Sequence, residues 1–195
     1  MNKLIIATNN QGKVREIKSI FAGVYEDVQS LKDAGIVADV EEDGKTFLEN
    51  ARKKAVEISK LVDCDVLADD SGLCVDALDG APGIYSARYA GDGHCDEDNN
   101  AKLVADMAAV PDGQRGGKFV CAMVLAREGR EVTHTIGEVH GEILRAPAGA
   151  GGFGYDPLFF VKEYGKTFGE LPADVKNKIS HRSRALAELK AILTK

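Results

Sequence analysis

Val66-Leu67-Ala68-Asp69-Asp70-Ser71-Gly72-Leu73-Cys74-Val75 sets an apolar run directly against two adjacent carboxylates. Val66 to Asp69 reads as a buried strand, Ser71-Gly72 as the turn that ends it, and Leu73-Cys74-Val75 as extended chain beyond. Like charges this close disfavour each other's ionisation. They need a cation, a hydrogen-bond network or a shared proton. A divalent metal is the simplest remedy, and hard oxygen ligands point to magnesium. Asp-Asp-Ser-Gly is also ordinary turn chemistry, so these residues alone leave a metal site and a turn both open.

Outward from this strand, helices and strands alternate. Residues 3–8 read as a first buried strand and 12–21 as a helix with Val14, Ile17, Ile20 and Phe21 on one face. Val24 to Ser30 reads as a second strand. Phe47 to Val62 reads as a helix, with Thr46 and Glu49 forming its capping box. Ile84 to Ala90 is expected to be extended, and Asp96-Glu97-Asp98 opens a further helix with acid in its first turn, as the dipole prefers. Lys118 to Arg127 and Val132 to Ile143 form a predicted hairpin around Glu128-Gly129-Arg130, Leu158 to Val161 a short strand, and the C-terminal segment one helix. This order predicts an α/β fold with an antiparallel portion in its second half.

Composition narrows the function classes. The 195 residues suit one domain, 1–195, and 44% hydrophobic with 29% charged residues is the balance of a soluble globular chain. A net charge of −6 gives no global footprint for nucleic acid. No apolar run approaches the roughly 18 residues that span a bilayer. The apolar start at Leu4-Ile5-Ile6 is too short for a signal peptide, because polar Asn9-Asn10-Gln11 follows at once. None of the four cysteines, Cys64, Cys74, Cys95 and Cys121, forms a Cys-x-x-Cys pair, so a zinc ribbon is not expected and a reducing cytoplasm fits best.

Four further segments carry candidate chemistry. Thr8-Asn9-Asn10-Gln11-Gly12-Lys13 joins a strand to a helix N-terminus, where free N–H groups and the dipole favour an anion. It lacks the Walker A pattern, and a simply capped helix is the alternative. Glu41-Glu42-Asp43 is either a ligand run or a solvated acidic loop. Glycines around Phe153 and Tyr155 in Gly151-Gly152-Phe153-Gly154-Tyr155-Asp156-Pro157 offer flat faces suited to a nucleobase, or plugs for a tight turn. Lys176, Lys178, His181, Arg182 and Arg184 crowd the last helix as anion or base-edge readers, or as an exposed basic face. Together these parts describe a nucleotide site.

On these residues the chain closely resembles the inosine triphosphate pyrophosphatase family. The resemblance rests on Ala7-Thr8-Asn9-Asn10-x-x-Lys13, Glu41-Glu42-x-Gly44-x-Thr46-Phe47-x-Glu49-Asn50-Ala51, Ala68-Asp69-Asp70-Ser71-Gly72-Leu73, Gly80-Ala81-Pro82-Gly83-Ile84-Tyr85-Ser86-Ala87-Arg88, Gly151 to Pro157 and Ile179-Ser180-His181-Arg182. It implies an elongated mixed β-sheet with flanking helices, in two lobes around a central cleft, and a homodimer. It implies magnesium-dependent hydrolysis of ITP, dITP and XTP to the monophosphate and pyrophosphate. The implied general base is Asp70, and the implied magnesium ligands are Asp70 and Glu42, with Glu41 beside the latter as the neighbouring choice. The implied substrate contacts are Thr8, Asn9, Asn10, Gln11, Gly12 and Lys13 for the triphosphate, then Ser71, Phe153, Gly154, Tyr155, Asp156, Lys176, His181 and Arg182. The readings that compete with it are a hydrolase of another modified nucleoside triphosphate, a nucleotide-binding protein without turnover, and an interaction module.

Overall fold

In the computed structural model the described residues are 2–8, 10–92 and 95–194. Strands β1 (Lys3–Ile6), β2 (Asp27–Ser30), β3 (Asp65–Val75), β4 (Gly116–Arg127), β5 (Arg130–Ile143), β6 (Phe159–Val161) and β7 (Lys166–Thr167) form one seven-stranded sheet in the order β2-β1-β3-β4-β5-β6-β7. Helices α1 (Gln11–Phe21), α2 (Phe47–Ser59), α3 (Asp96–Asp106), α4 (Ala173–Ile179) and α5 (His181–Leu193) flank it. β1 runs parallel to both β2 and β3, whereas β6 runs antiparallel to β5 and to β7. The sheet is therefore mixed, as the order of elements predicts. β4 turns into β5 through Glu128 and Gly129, both at positive φ (51° and 73°), the backbone that a two-residue hairpin requires.

The chain divides into two compact units. The first contains Met1–Asp70, Cys121–Gly137 and Arg182–Lys195. Here the sheet is buried on both faces, and side-chain alternation sorts the residues. Leu4, Ile6 and Leu67 pack with α1 (Val14, Ile17, Phe21) and α5 (Ala185, Leu186, Leu189), while Ile5, Ala7, Val66 and Ala68 pack with α2 (Ala51, Ala55, Ile58). Thr46 caps α2 by accepting from the Glu49 N–H at 3.1 Å. The Glu49 carboxylate returns to the Lys45 N–H at 2.7 Å, one residue before the usual partner of a capping box.

The second unit contains Ser71–Val120 and Glu138–His181. Its core gathers Leu73, Val75, Phe119, Val139, Ile143, Phe159 and Phe168 with Leu103 and Met107 of α3. The buried Arg115 donates to the Ile143 and Met107 carbonyls at 2.7 Å each, satisfying acceptors at the ends of β5 and α3.

The structure corrects five expectations. Ser71-Gly72 is no turn: β3 continues unbroken from Asp65 to Val75. Ile84 to Ala90 is not extended, because Gly83–Arg88 winds into a 3-10 helix. α2 stops at Ser59 instead of reaching Val62, and β2 starts at Asp27 instead of Val24. The C-terminal segment holds two helices, separated by Ser180 in an extended conformation (φ −65°, ψ 157°).

Candidate active site

Because β3 runs straight through, Asp69 and Asp70 leave it on opposite faces. Asp69 follows Leu67 toward α1 and α5. Its Oδ2 lies 2.7 Å from the Lys13 ammonium, 3.7 Å from the Arg182 Nε and 4.0 Å from the Cys121 thiol. Burial pushes this carboxyl up, but Lys13, Arg182 and Lys54 outweigh it and hold Asp69 well below the usual carboxylate range. The Cys121 thiol, buried beside that carboxylate, is pushed up to about 12 and is inert as a nucleophile.

Asp70 follows Ala68 toward α2. Its Oδ2 accepts from the Asn50 amide at 3.0 Å, and Asn50 Oδ1 in turn accepts from the Gly44 N–H at 2.8 Å. Gly44 has to be glycine: a Cβ there would meet Asn50 Oδ1 at 2.6 Å and the Glu49 Cβ at 2.8 Å. Lys54, one turn beyond Asn50 on the same face of α2, pairs with Glu42 at 2.7 Å. Burial raises the Asp70 pKa, Lys54 works against that, and Glu42 adds to it. Burial lowers the Lys54 pKa, but Asp69, Glu42 and Asp70 bring it above its ordinary value. Glu42 is half-buried and pairs with Lys54, whereas Glu41 is exposed.

A carboxylate destabilised by burial and by a second carboxylate is a site that a cation would relieve. Two hard oxygen ligands, with waters and substrate phosphates completing the shell, suit magnesium. Asp70 and Glu42 therefore fit such an ion. No group of three or more His, Cys, Asp or Glu side chains stands ready for a metal among the described residues.

In the first loop, Asn9 lies outside the described residues. Asn10 caps α1, its Oδ1 accepting from the Gly12 and Lys13 N–H groups at 2.9 and 3.2 Å. The Thr8 hydroxyl accepts from the Asn10 N–H at 3.2 Å, and Gln11 is exposed. The helix-cap and anion-site readings thus fall on the same residues, with the Lys13 ammonium already drawn to Asp69.

The second unit brings together a different set. The Asp156 carboxylate accepts from the Phe153 N–H at 2.8 Å and from the Lys176 ammonium. Gly152, at φ +77°, admits no side chain, because a Cβ would strike that carboxylate. The Lys176 ammonium sits over the Phe153 ring, 4.5 Å from its centroid, and 5.8 Å from that of Phe168. His181 stacks on Phe119, with centroids 4.9 Å apart and planes 14° apart. Phe153 is 39% exposed and offers a face. Tyr155 does not. Its ring is buried and its hydroxyl donates to the Ser86 carbonyl at 2.7 Å, so of the two aromatics Phe153 is the exposed one. Ser71 is half-buried on β3.

The basic cluster splits by burial. Lys178 and Arg184 are exposed, while Lys176, His181 and Arg182 are buried. Arg182 is 2% exposed, and its Nη1 donates to Glu16 at 2.7 Å. A charged side chain that deep is a built feature and not a solvated helix face. Sequence reasoning gives Asp69 the surroundings of Asp70, which the structure parts from it, and assigns no role to Asn50 or Lys54. The signal for the last two is their spacing of four on a helix otherwise striped with alanine.

A mixed-sheet α/β protein with a buried acidic strand ringed by lysines is the class that this fold and site define. The chain belongs to the Ham1 family, whose model matches residues 4–192. It is 53% identical over 190 residues to a dITP/XTP pyrophosphatase of Geobacter sulfurreducens, covering 97% of this chain and 96% of that one. A protein of the same name from Clostridium perfringens is also 53% identical, over 196 residues, with the same coverages. Among solved structures, the Ham1 protein of Staphylococcus aureus superposes with a TM-score of 0.90 at 41% identity over 99% of this chain and 98% of that one. A HAM1 protein of Coxiella burnetii gives 0.91 at 37%, over 100% and 99%.

Proposed function

We propose that this protein hydrolyses non-standard purine nucleoside triphosphates (ITP, dITP and XTP) to the monophosphate and pyrophosphate, with magnesium as cofactor. The observation that carries the reading is Asp70: a buried carboxylate oriented by Asn50, with Lys54 and Glu42 beside it. Full-length identity to dITP/XTP pyrophosphatases supports the substrate class.

Water attacks the α-phosphorus, the bond from that phosphorus to the bridging oxygen breaks, and pyrophosphate leaves. Asp70 takes the proton of the water, and its Asn50 hydrogen bond fixes which oxygen faces it. When bound by Asp70 and Glu42, magnesium supplies charge neutralisation for the phosphate oxygens. Lys13, Lys54 and the N-terminus of α1 take the triphosphate, with Thr8, Asn9, Asn10, Gln11, Gly12 and Ser71 as polar contacts. Phe153 and Gly154 stack the base, while Tyr155, Asp156 and Lys176 shape their loop. His181 and Arg182 donate to the six-oxygen of the purine. Adenine carries an amino group there and would leave a buried donor unpaired, which discriminates strongly.

The protein acts on free nucleotides, as a homodimer, in the cytoplasm. Among the described residues no helix is long and apolar enough to cross a membrane. The experiment is hydrolysis of ITP, dITP, XTP, GTP and ATP with magnesium, assaying pyrophosphate and orthophosphate separately. Pyrophosphate release from the first three, with little from ATP or GTP, is expected. Orthophosphate as the product, or indifference to the base, would overturn it.

A further inference from the structure

The N-terminus of α3 grips the peptide that follows Phe153. Asp96 Oδ2 accepts from the Gly154 N–H at 2.6 Å, and Asn100 Nδ2 donates to the Gly154 carbonyl at 2.8 Å. Both polar groups of one glycine are thus held by two side chains a helical turn apart. The same Asn100 amide also reaches the Asp96 carbonyl at 2.8 Å.

This grip is not explained by packing. Asn100 is buried, and its Oδ1 has no hydrogen-bond partner among the described residues. Leaving a buried acceptor unsatisfied costs stability, and an alanine or leucine would fill this helix position without that cost. What the loop would do without the grip is visible beside it. Asn100, Ala101 and Val104 line one side of a cavity of about 700 Å³ whose other side is the glycine-rich loop. Gly149, Gly152 and Gly154 all have positive φ, so the loop has few side chains to brace it and room to move into. Asp156 holds the Phe153 N–H from one side. Asp96 and Asn100 hold the next residue from the other.

We propose that Asp96 and Asn100 are positioning residues that fix the Phe153 ring at the level where it meets the base. They would set affinity for the base without touching substrate. This inference rests on the reading of Phe153 as the base platform.

The test compares Asp96→Ala and Asn100→Ala with the unaltered protein, using ITP as substrate and inorganic tripolyphosphate, which has no base, as a competing ligand. The expected result is a KM for ITP raised on the order of tenfold, with kcat within about threefold, since a displaced contact weakens binding in proportion. The inhibition constant of tripolyphosphate should be unchanged. Asp96→Asn keeps an acceptor oxygen and should restore the KM to within about twofold. Asp96 is exposed, so its variants fold even if Asn100→Ala does not. An unchanged KM for ITP, or tripolyphosphate binding weakened alongside it, would overturn the inference. Failure of the unaltered protein to release pyrophosphate from ITP would instead sink the reading beneath it.

Discussion

Asp69 and Asp70 are neighbours with unlike surroundings, and the difference separates their tasks. Asp70 has the Asn50 amide and feels Lys54 and, more weakly, Lys13, but burial raises its pKa. Removing its carboxylate as Asp70→Asn should lower kcat on the order of 10³-fold or more. A steady-state kcat near the native value would remove it as the base. Asp69 is held ionised by Lys13 and Arg182, and its pKa lies below that of an unfolded chain. A depressed carboxyl contributes stability that is complete above the unfolded value of about 3.9 and is lost as pH falls through the folded one. Urea unfolding as a function of pH should therefore show stability falling below about pH 4. Asp69→Asn should flatten that limb, and an unchanged limb would mean the pair carries none of it. Arg182→Ala should cut ITP hydrolysis far more than ATP hydrolysis. Equal losses would mean that Arg182 acts only by partnering Asp69 and Glu16.

At the scale of elements, α2 matters more than its length suggests, since it carries Asn50, Lys54 and one wall of the core. Thr46→Ala removes its cap and should cost about 1 kcal/mol, read as a lower urea midpoint at unchanged slope. A midpoint equal to the native one would show that Glu49 suffices. These elements also show where sequence reading works. α1, α2 and the β4–β5 hairpin announce themselves through apolar stripes, a capping threonine and a Glu-Gly turn, all local signals. Ser71-Gly72 misleads because its composition is that of a turn, whereas pairing with neighbouring strands keeps β3 extended. The break at Ser180 is hidden because Ile179 continues, across it, the helical spacing of Leu186, Leu189 and Leu193. Motifs single out Asp70, Lys13 and Phe153 for the candidate site, and the structure sets Asp70 against Asn50, Lys13 on Asp69 and Phe153 under the Lys176 ammonium. Asp69 escaped because adjacency suggests one shared environment, and only the pleat assigns it another.

For the whole molecule, β3, β4 and β5 each pass from one compact unit into the other, and α5 returns to the first. Neither unit is a continuous piece of chain. A chain ending before Arg182 loses Ala185, Leu186 and Leu189 from the first core. At roughly 1.5–3 kcal/mol per large buried aliphatic side chain, that deficit should exceed several kcal/mol. Such a truncation should lack a cooperative thermal transition, and a sharp one would show that α5 is dispensable. The proposed homodimer is tested by sedimentation equilibrium: twice the 20.9 kDa chain mass is expected, and the single mass would overturn it.

The pairing of Ile5 with Val66 and of Ile6 with Leu67 fixes more than a core. A residue deleted between Leu67 and Asp69 would turn both acids half a pleat, sending Asp69 to α2 and Asp70 to α1 and α5. The composition of the strand would hardly change, yet the carboxylate proposed as the base would be exchanged for a salt-bridge anchor. Spacing in this segment is therefore a tighter constraint than residue identity. Over time the strand should accept aliphatic exchanges freely and insertions hardly at all.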